Sequence, residues 1–385
     1  MALGARIRAV SLWQAYLAGG VLICALYVWV PPFKGSGPVF NLLGLSPVIA
    51  IIVGVRRHAR KSPGPWRWFA IGFLLFWLGD LYTYSYPRLT GTEVPFPSLG
   101  DAAYVIVYPA LMIGLLMLVR RRNPERDRAG AIDSLIMTLG LSLISWIALI
   151  QPSLHDGSLS TLAKLVSIAY PIGDILLLAA AIRLAVDAGT RRPAFYLLVS
   201  SIVALLATDF AYGLVTLAGA YHSQVWLDIG WVSFYLLWGT AALHPSMGEL
   251  ERPAPNRDVR LTPLRLVLLT FASLIAPVMA LGQVLGAGDD QFVVNVAAIL
   301  LFALVVARMA GLVRQQERSV ARERILSAAG ADLVAATSRA DICRAALVAG
   351  RALAGDEAAV RLCLAEGDGV VVVADDELGT AWPVS

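Results

Sequence analysis

Ten apolar runs, each near the length that crosses a bilayer as a helix, follow one another between residues 11 and 313. They lie at 11–30, 39–55, 66–86, 101–119, 130–151, 160–182, 193–217, 223–245, 263–285 and 292–313, the second and fourth being short. Roughly 17–25 apolar residues span the ~30 Å hydrocarbon core. Backbone groups in lipid must find their hydrogen bonds within the segment, so each run is expected to be helical. Composition agrees: 58% of residues are hydrophobic and 15% charged, where soluble domains carry about a quarter charged residues. The expected fold class is therefore an all-α polytopic membrane protein of about ten transmembrane helices.

Basic residues alternate between the loops. Those after even-numbered runs carry Arg56, Arg57, Arg60 and Lys61, then Arg120, Arg121, Arg122, Arg126 and Arg128, then Arg191 and Arg192, then Arg252, Arg257 and Arg260. Those after odd-numbered runs carry only Lys34 and Arg88. By the positive-inside rule both termini are expected in the cytoplasm. The net charge of +4 is thus a topology signal, and no nucleic-acid partner follows from it. The first run lacks a small-residue cleavage site and reads as a retained span.

A repeat runs from about 66 to 247. Tyr108-Pro109 recurs as Tyr170-Pro171, and Tyr235 falls at the matching place. Asp80, Tyr82, Asp101 and Tyr104 correspond to Asp209, Tyr212, Asp228 and Trp231. Three tandem helical hairpins in one orientation are expected, unlike the inverted repeats of many transporters.

After residue 313 the character changes. Residues 314–324 (RQQERSVARER) are charged and free of glycine and proline, which predicts a linker helix that continues the tenth span into the cytoplasm. Leu312, Leu326 and Leu333, with Val313, Val320 and Val334, form a stripe that Ser319 and Ser327 interrupt. It is a weak coiled-coil signal, and a homodimer is expected to form through this helix. Ser338 and Asp341 form a capping box with Asp in place of Glu, opening a helix to about Leu353. Two β-rich runs, AAVRLCLAE and VVVVAD, flank Gly367-Asp368-Gly369, a hairpin signal. Two strands and two helices bury little core, so this C-terminal domain reads as truncated.

Carboxylates inside spans are the first functional candidates, because ionised groups in lipid are costly and usually functional or paired. On the expected topology Asp80, Asp101, Asp209 and Asp228 lie in the outer third of the bilayer, with Lys164 at similar depth. Tyr84, Tyr104, Tyr108, Tyr212, Trp231 and Tyr235 surround that level. Asp80 with Tyr84, Asp101 with Tyr104 and Asp228 with Trp231 stand three or four apart, so each acid shares a helix face with an aromatic. Two readings follow. One is an outward-opening pocket for a small polar or cationic ligand; the other is a set of Asp–Tyr hydrogen bonds between hairpins plus an aromatic belt. Asp174, nearer mid-membrane, is the candidate for an ion or proton role, again against a polar clasp. The four histidines lie at span ends or in loops, without i, i+4 spacing, so no metal or haem site is expected. Cys24, Cys343 and Cys363 show no paired spacing. No nucleophile–base set or phosphate loop is present, so neither catalytic residues nor a cofactor are expected.

The segments PSLGDAAYVIVYPALMIGLLMLVRRR (97–122), IDSLIMTLGLSLISWIALIQP, AYPIGDILLLAAAIRL, TDFAYGLVTLAGAY and LDIGWVSFYLLWGTAALHPSM resemble the N-terminal membrane module of bacterial, chiefly actinobacterial, signalling proteins. In that group the module often precedes a GAF domain and then GGDEF and EAL domains, which make and degrade cyclic di-GMP. Residues 325–374 resemble the start of a GAF domain: lead helix, second helix and first hairpin. The resemblance implies a transmembrane domain over 1–313, a linker over 314–324 and the N-terminal part of an α/β GAF-like domain over 325–385. It also implies the bacterial inner membrane as location. No GGDEF or EAL motif occurs in this chain, so no cyclase or phosphodiesterase residue carries over and no enzyme activity is expected of it. The function expected is a membrane sensor module relaying a cue, or an unknown small ligand, through the linker. Alternatives are a small-solute or ion transporter using the intramembrane Asp and Lys residues, and an intramembrane enzyme, which lacks a nucleophile.

Overall fold

The computed structural model describes residues 11–31, 34–122, 128–186, 191–220, 225–252, 263–284, 291–354, 360–366 and 369–375. Helices occupy all ten apolar runs: α1 (Leu12–Trp29), α2 (Gly37–His58), α3 (Gly64–Thr90), α4 (Leu99–Arg122), α5 (Arg128–His155), α6 (Thr161–Val186), α7 (Pro193–Leu217), α8 (Val225–Leu243), α9 (Pro263–Val284) and α10 (Gln291–Ala335). Then come α11 (Arg339–Ala354) and the strands β1 (Arg361–Glu366) and β2 (Gly369–Asp375). Seven of these helices, α1, α2, α4, α5, α6, α7 and α10, are long and apolar enough to cross a membrane. The chain is a helical membrane protein.

Local chemistry sets several boundaries. At α1 the Ser11 amide donates to Gln14 Oε1 at 3.0 Å, half of a capping box. At α4 the Ser98 amide donates to Asp101 Oδ2 at 2.7 Å, the same device with Asp at the third position. Pro193 opens α7, where its missing N–H costs no bond. Gly91, at φ 70°, ends α3 in the left-handed conformation with its N–H on the Pro87 carbonyl. The second and fourth spans are not short: α2 has 22 residues and α4 has 24. Their basic last turns extend them past the apolar run, because arginine stems lie along apolar surface while the heads stay in water. The fifth helix also runs further than its apolar run, to His155, through a π-helical stretch at Trp146–Ile150 that periodicity gave no sign of.

Within residues 1–305, one of two compact units, α3 and α8 form the centre. Phe73 stacks on Phe234 with ring centroids 4.8 Å apart, and Phe69 and Phe73 meet Trp238 edge-on at 4.8 and 5.1 Å. Neither α3 nor α8 is among those seven; each contributes buried aromatics to this centre, Trp66, Phe69 and Phe73 from α3 and Phe234, Tyr235 and Trp238 from α8. Hairpin α3–α4 packs tightly, as does hairpin α7–α8. Helix α2 lies against α3 and α8; helix α6 lies against α7 and α4. Matching α3 with α7 and α4 with α8 turns one set of neighbours into the other. The first and third expected hairpins are thus exchanged by an approximate two-fold relation. Close approach is built from glycine: a Cβ on Gly140 would collide with the Ala272 backbone of α9, and one on Gly54 with that of Ala242 of α8. A second, smaller core joins Ile136, Met137 and Leu143 of α5 to Ala272 and Ala276 of α9 and Ala297 and Leu301 of α10.

The second unit begins at Val306, a few residues before the expected edge at 313. Residues 314–324 continue the helix of the tenth run. Helix α10 is one helix of 45 residues that takes in the tenth run, that charged stretch and the first turns expected of the GAF-like segment. Gly311 sits inside it without a break and with open space around it. Ser338 Oγ donates to Asp341 Oδ2 at 2.6 Å and accepts from the Asp341 amide at 3.2 Å, capping α11. This bond, with Arg344 beside it, holds the Asp341 carboxyl below the usual carboxylate range. The strands pair antiparallel, Glu366 with Gly369, with an irregularity between Leu362 and Cys363. The turn residues 367 and 368 lie outside the described residues.

Candidate functional site

Five aspartates inside the helices carry the site, and aromatic hydroxyls reach them from other helices. Asp80 on α3 accepts from Tyr104 of α4 at 2.9 Å and from Tyr235 of α8 at 2.6 Å. Asp209 on α7 accepts from Trp231 Nε1 of α8 at 2.8 Å and from Tyr108 of α4 at 3.5 Å. The same Tyr108 hydroxyl donates to Asp174 of α6 at 2.9 Å. Asp228 on α8 accepts from Tyr27 of α1 at 2.5 Å and Tyr84 of α3 at 3.3 Å. Asp101 on α4 accepts from Tyr170 of α6 at 2.7 Å, its other oxygen being held by Ser98.

The aspartates and aromatics that share a helix face do not bond to one another. Tyr84 reaches Asp228 rather than Asp80; Tyr104 reaches Asp80 rather than Asp101; Trp231 reaches Asp209 rather than Asp228. A residue one turn away leans along its own helix, whereas a phenol's length suits the gap to a neighbouring helix. Lys164 does not join the acids: its ammonium donates to the Leu154 carbonyl at 3.0 Å. Asp174 is joined to Asp209 through the Tyr108 hydroxyl, which reaches both. Tyr212 packs its ring on Trp231, centroids 5.7 Å apart.

The arrangement follows the two-fold relation between hairpins. Asp80 takes one bond from its own hairpin (Tyr104) and one from the other (Tyr235). Asp209, its counterpart, takes Trp231 from its own hairpin and Tyr108 from the other. Glycine makes room for the rings. A Cβ on Gly79 would stand 2.5 Å from the Tyr104 ring, and one on Gly173 would stand 2.5 Å from the Tyr108 ring. In both places the glycine precedes the aspartate whose carboxylate that tyrosine binds.

Four of the five carboxylates have both oxygens engaged by these donors, and Asp80 and Asp174 are at least nine-tenths buried. None of the ion pairs among the described residues involves any of the five. A buried carboxylate is costly unless hydrogen-bonded, and here phenols, an indole and, at Asp101, Ser98 supply the bonds. Chemically the set is a network of interhelical clasps. Among the described residues, no group of three or more His, Cys, Asp or Glu is placed to hold a metal ion.

No family model, curated protein or solved structure matches this chain.

Several members of the network were not among the sequence candidates: Tyr27, Tyr170, Ser98 and the two glycines. The recurring Gly-Asp dipeptide (79–80, 100–101, 173–174) is the signal that could have found part of it. Tyr27, near the C-terminal end of α1, a helix without acids, carries no such mark.

Proposed function

We propose that the chain is the membrane-embedded input module of a bacterial signal-transduction protein. On this reading ten spans lie in the cytoplasmic membrane with both termini inside. A cue from the bilayer or the outer face passes along α10 to a GAF-like segment and an output domain, the latter acting on cyclic di-GMP. The observation that carries the reading is α10 itself, a single helix from Gln291 to Ala335. At 1.5 Å per residue it extends roughly 67 Å, about twice the hydrocarbon thickness. Its apolar first half suits lipid, and its charged, exposed second half suits water. A stiff helix transmits a shift or rotation with its phase preserved. The exposed stripe of Val313, Val320, Leu326 and Leu333 offers a homodimer contact. A transporter needs a path at the midplane and commonly a broken helix. Here α6 runs unbroken through Pro171, Gly173 and Asp174, and the acids are occupied by protein donors, which favours the signalling reading.

The test fuses a reporter output domain after residue 354 and inserts residues between Arg318 and Ser319. Four inserted residues turn the downstream face by about 40° and seven nearly restore it. Output should follow insertion phase. Output indifferent to every insertion length would remove the mechanism.

A further inference from the structure

A cavity of about 520 Å³ opens at one end of the bundle, lined by Trp13 of α1, Pro193, Tyr196, Leu197 and Ser200 of α7, and His244 just past α8. Pro193, Tyr196, Leu197 and Ser200 form one face of the first two turns of α7, so the groove runs inward along that helix. Its mouth is rigidly made. The Ala194 amide donates to Ser246 Oγ at 3.1 Å, the Ser246 amide donates to His244 Nδ1 at 3.1 Å, and the His244 ring lies 5.1 Å from that of Trp13. Because Nδ1 accepts from an amide, the neutral ring keeps its proton on Nε2, a donor at the mouth of the groove.

The surroundings are basic. Arg191 and Arg192 immediately precede the groove, Arg192 being paired with Glu249 at 3.1 Å. Arg56, Arg57 and His58 close α2 at the same end of the bundle, and Arg60 and Lys61 follow it. Tryptophan and tyrosine at a span end occupy the headgroup level, and a basic surface there attracts anionic lipid. An apolar trough two turns deep, with an aromatic rim and a neutral N–H donor beside arginines, matches one molecule in shape and charge. We propose that this groove holds a single anionic phospholipid of the cytoplasmic leaflet. Its upper acyl chain would lie along Leu197 and Ser200, its glycerol region between Trp13 and Tyr196, and its phosphate at His244 Nε2 and the Arg191–Arg192 corner. Assignment to that leaflet rests on the topology proposed above.

The experiment is native mass spectrometry of the full chain in detergent, titrated with equimolar dioleoyl phosphatidylglycerol and dioleoyl phosphatidylcholine. One phosphatidylglycerol should be retained with about ten-fold preference, as expected for one or two arginines near the headgroup. Ser200→Trp, which fills the trough, should abolish retention. His244→Asn keeps an acceptor for the Ser246 amide but removes the Nε2 donor, and should lower the preference several-fold. Helical content and unfolding midpoint read out folding of each variant, and either variant alone suffices if the other misfolds. Equal retention of both lipids overturns the proposal, as does unchanged retention by the folded variants. Displacement of the lipid by millimolar inorganic phosphate overturns it as well, since the groove would then be reading a free anion. Cysteine labelling at Arg60 and Arg191 reports sidedness separately, so a wrong leaflet and an empty groove give different results.

Discussion

Tyr235 and Asp80, 155 residues apart in the chain, meet in a 2.6 Å hydrogen bond at the centre of the bundle. Its counterpart under the hairpin exchange, Tyr108 with Asp209, is longer at 3.5 Å because Tyr108 gives its proton mainly to Asp174. A hydroxyl has one proton to donate. The third acid on α6 therefore breaks the symmetry between the two hairpins.

Removing the donor should weaken the bundle without abolishing assembly. Tyr235→Phe and Asp80→Asn are each expected to cost roughly 0.6–2 kcal/mol, the range of interhelical hydrogen bonds in membranes. Thermal unfolding in detergent of the two single variants and the double variant gives their coupling. A strictly additive pair would show that the bond contributes nothing.

The glycines under the tyrosines should be intolerant of a methyl group. Gly79→Ala and Gly173→Ala push against the Tyr104 and Tyr108 rings, and overpacking of this kind costs about 1–3 kcal/mol. Gly19, also within a helix, has nothing within 4 Å of a new Cβ. Gly19→Ala should be neutral or slightly stabilising, since alanine is the better helix former. Equal effects at the three positions would contradict the packing described.

Sidedness is checked by cysteine accessibility. Thr92 and Ser158, both exposed in loops after odd-numbered helices, should label from outside when changed to Cys. Arg60→Cys and Arg191→Cys should label only after the membrane is permeabilised. Labelling of Arg60→Cys in intact cells would invert the topology.

Acid should loosen the groove end of the bundle. Burial, helped by the nearby His58, holds the His244 pKa below the usual histidine range. The unfolded chain therefore takes up this proton first as pH falls. The stabilising contribution of His244 is present above its unfolded pKa of about 6.5 and fades below it. Unfolding midpoints between pH 7.5 and 5.5 should fall more steeply for the native chain than for His244→Asn.

Cyclic di-GMP turnover by the purified chain should be undetectable, because no GGDEF or EAL motif is present in it. Measurable synthesis or hydrolysis by residues 1–385 would overturn that expectation.

Much of the helical frame was legible in the residues, because lipid imposes a local rule. A segment that cannot bond its backbone to water must be helical and about as long as the membrane is thick. That rule located the seven helices long and apolar enough to cross a membrane, and the side-chain cap at Ser338 and Asp341 is equally local. The interhelical partners were not legible. Helical periodicity tells which face Tyr84, Tyr104 and Trp231 occupy, and it placed each beside an acid on its own helix. It does not tell which helix stands opposite that face, and the observed bonds all run to another helix. That choice belongs to packing: glycines such as Gly79 and Gly173 let rings cross between helices, and the exchange of neighbours between two hairpins decides which carboxylate lies in reach. Local chemistry sets what each segment is, whereas packing selects which segments meet, because the energy that selects neighbours is spread over contacts between residues distant in the chain.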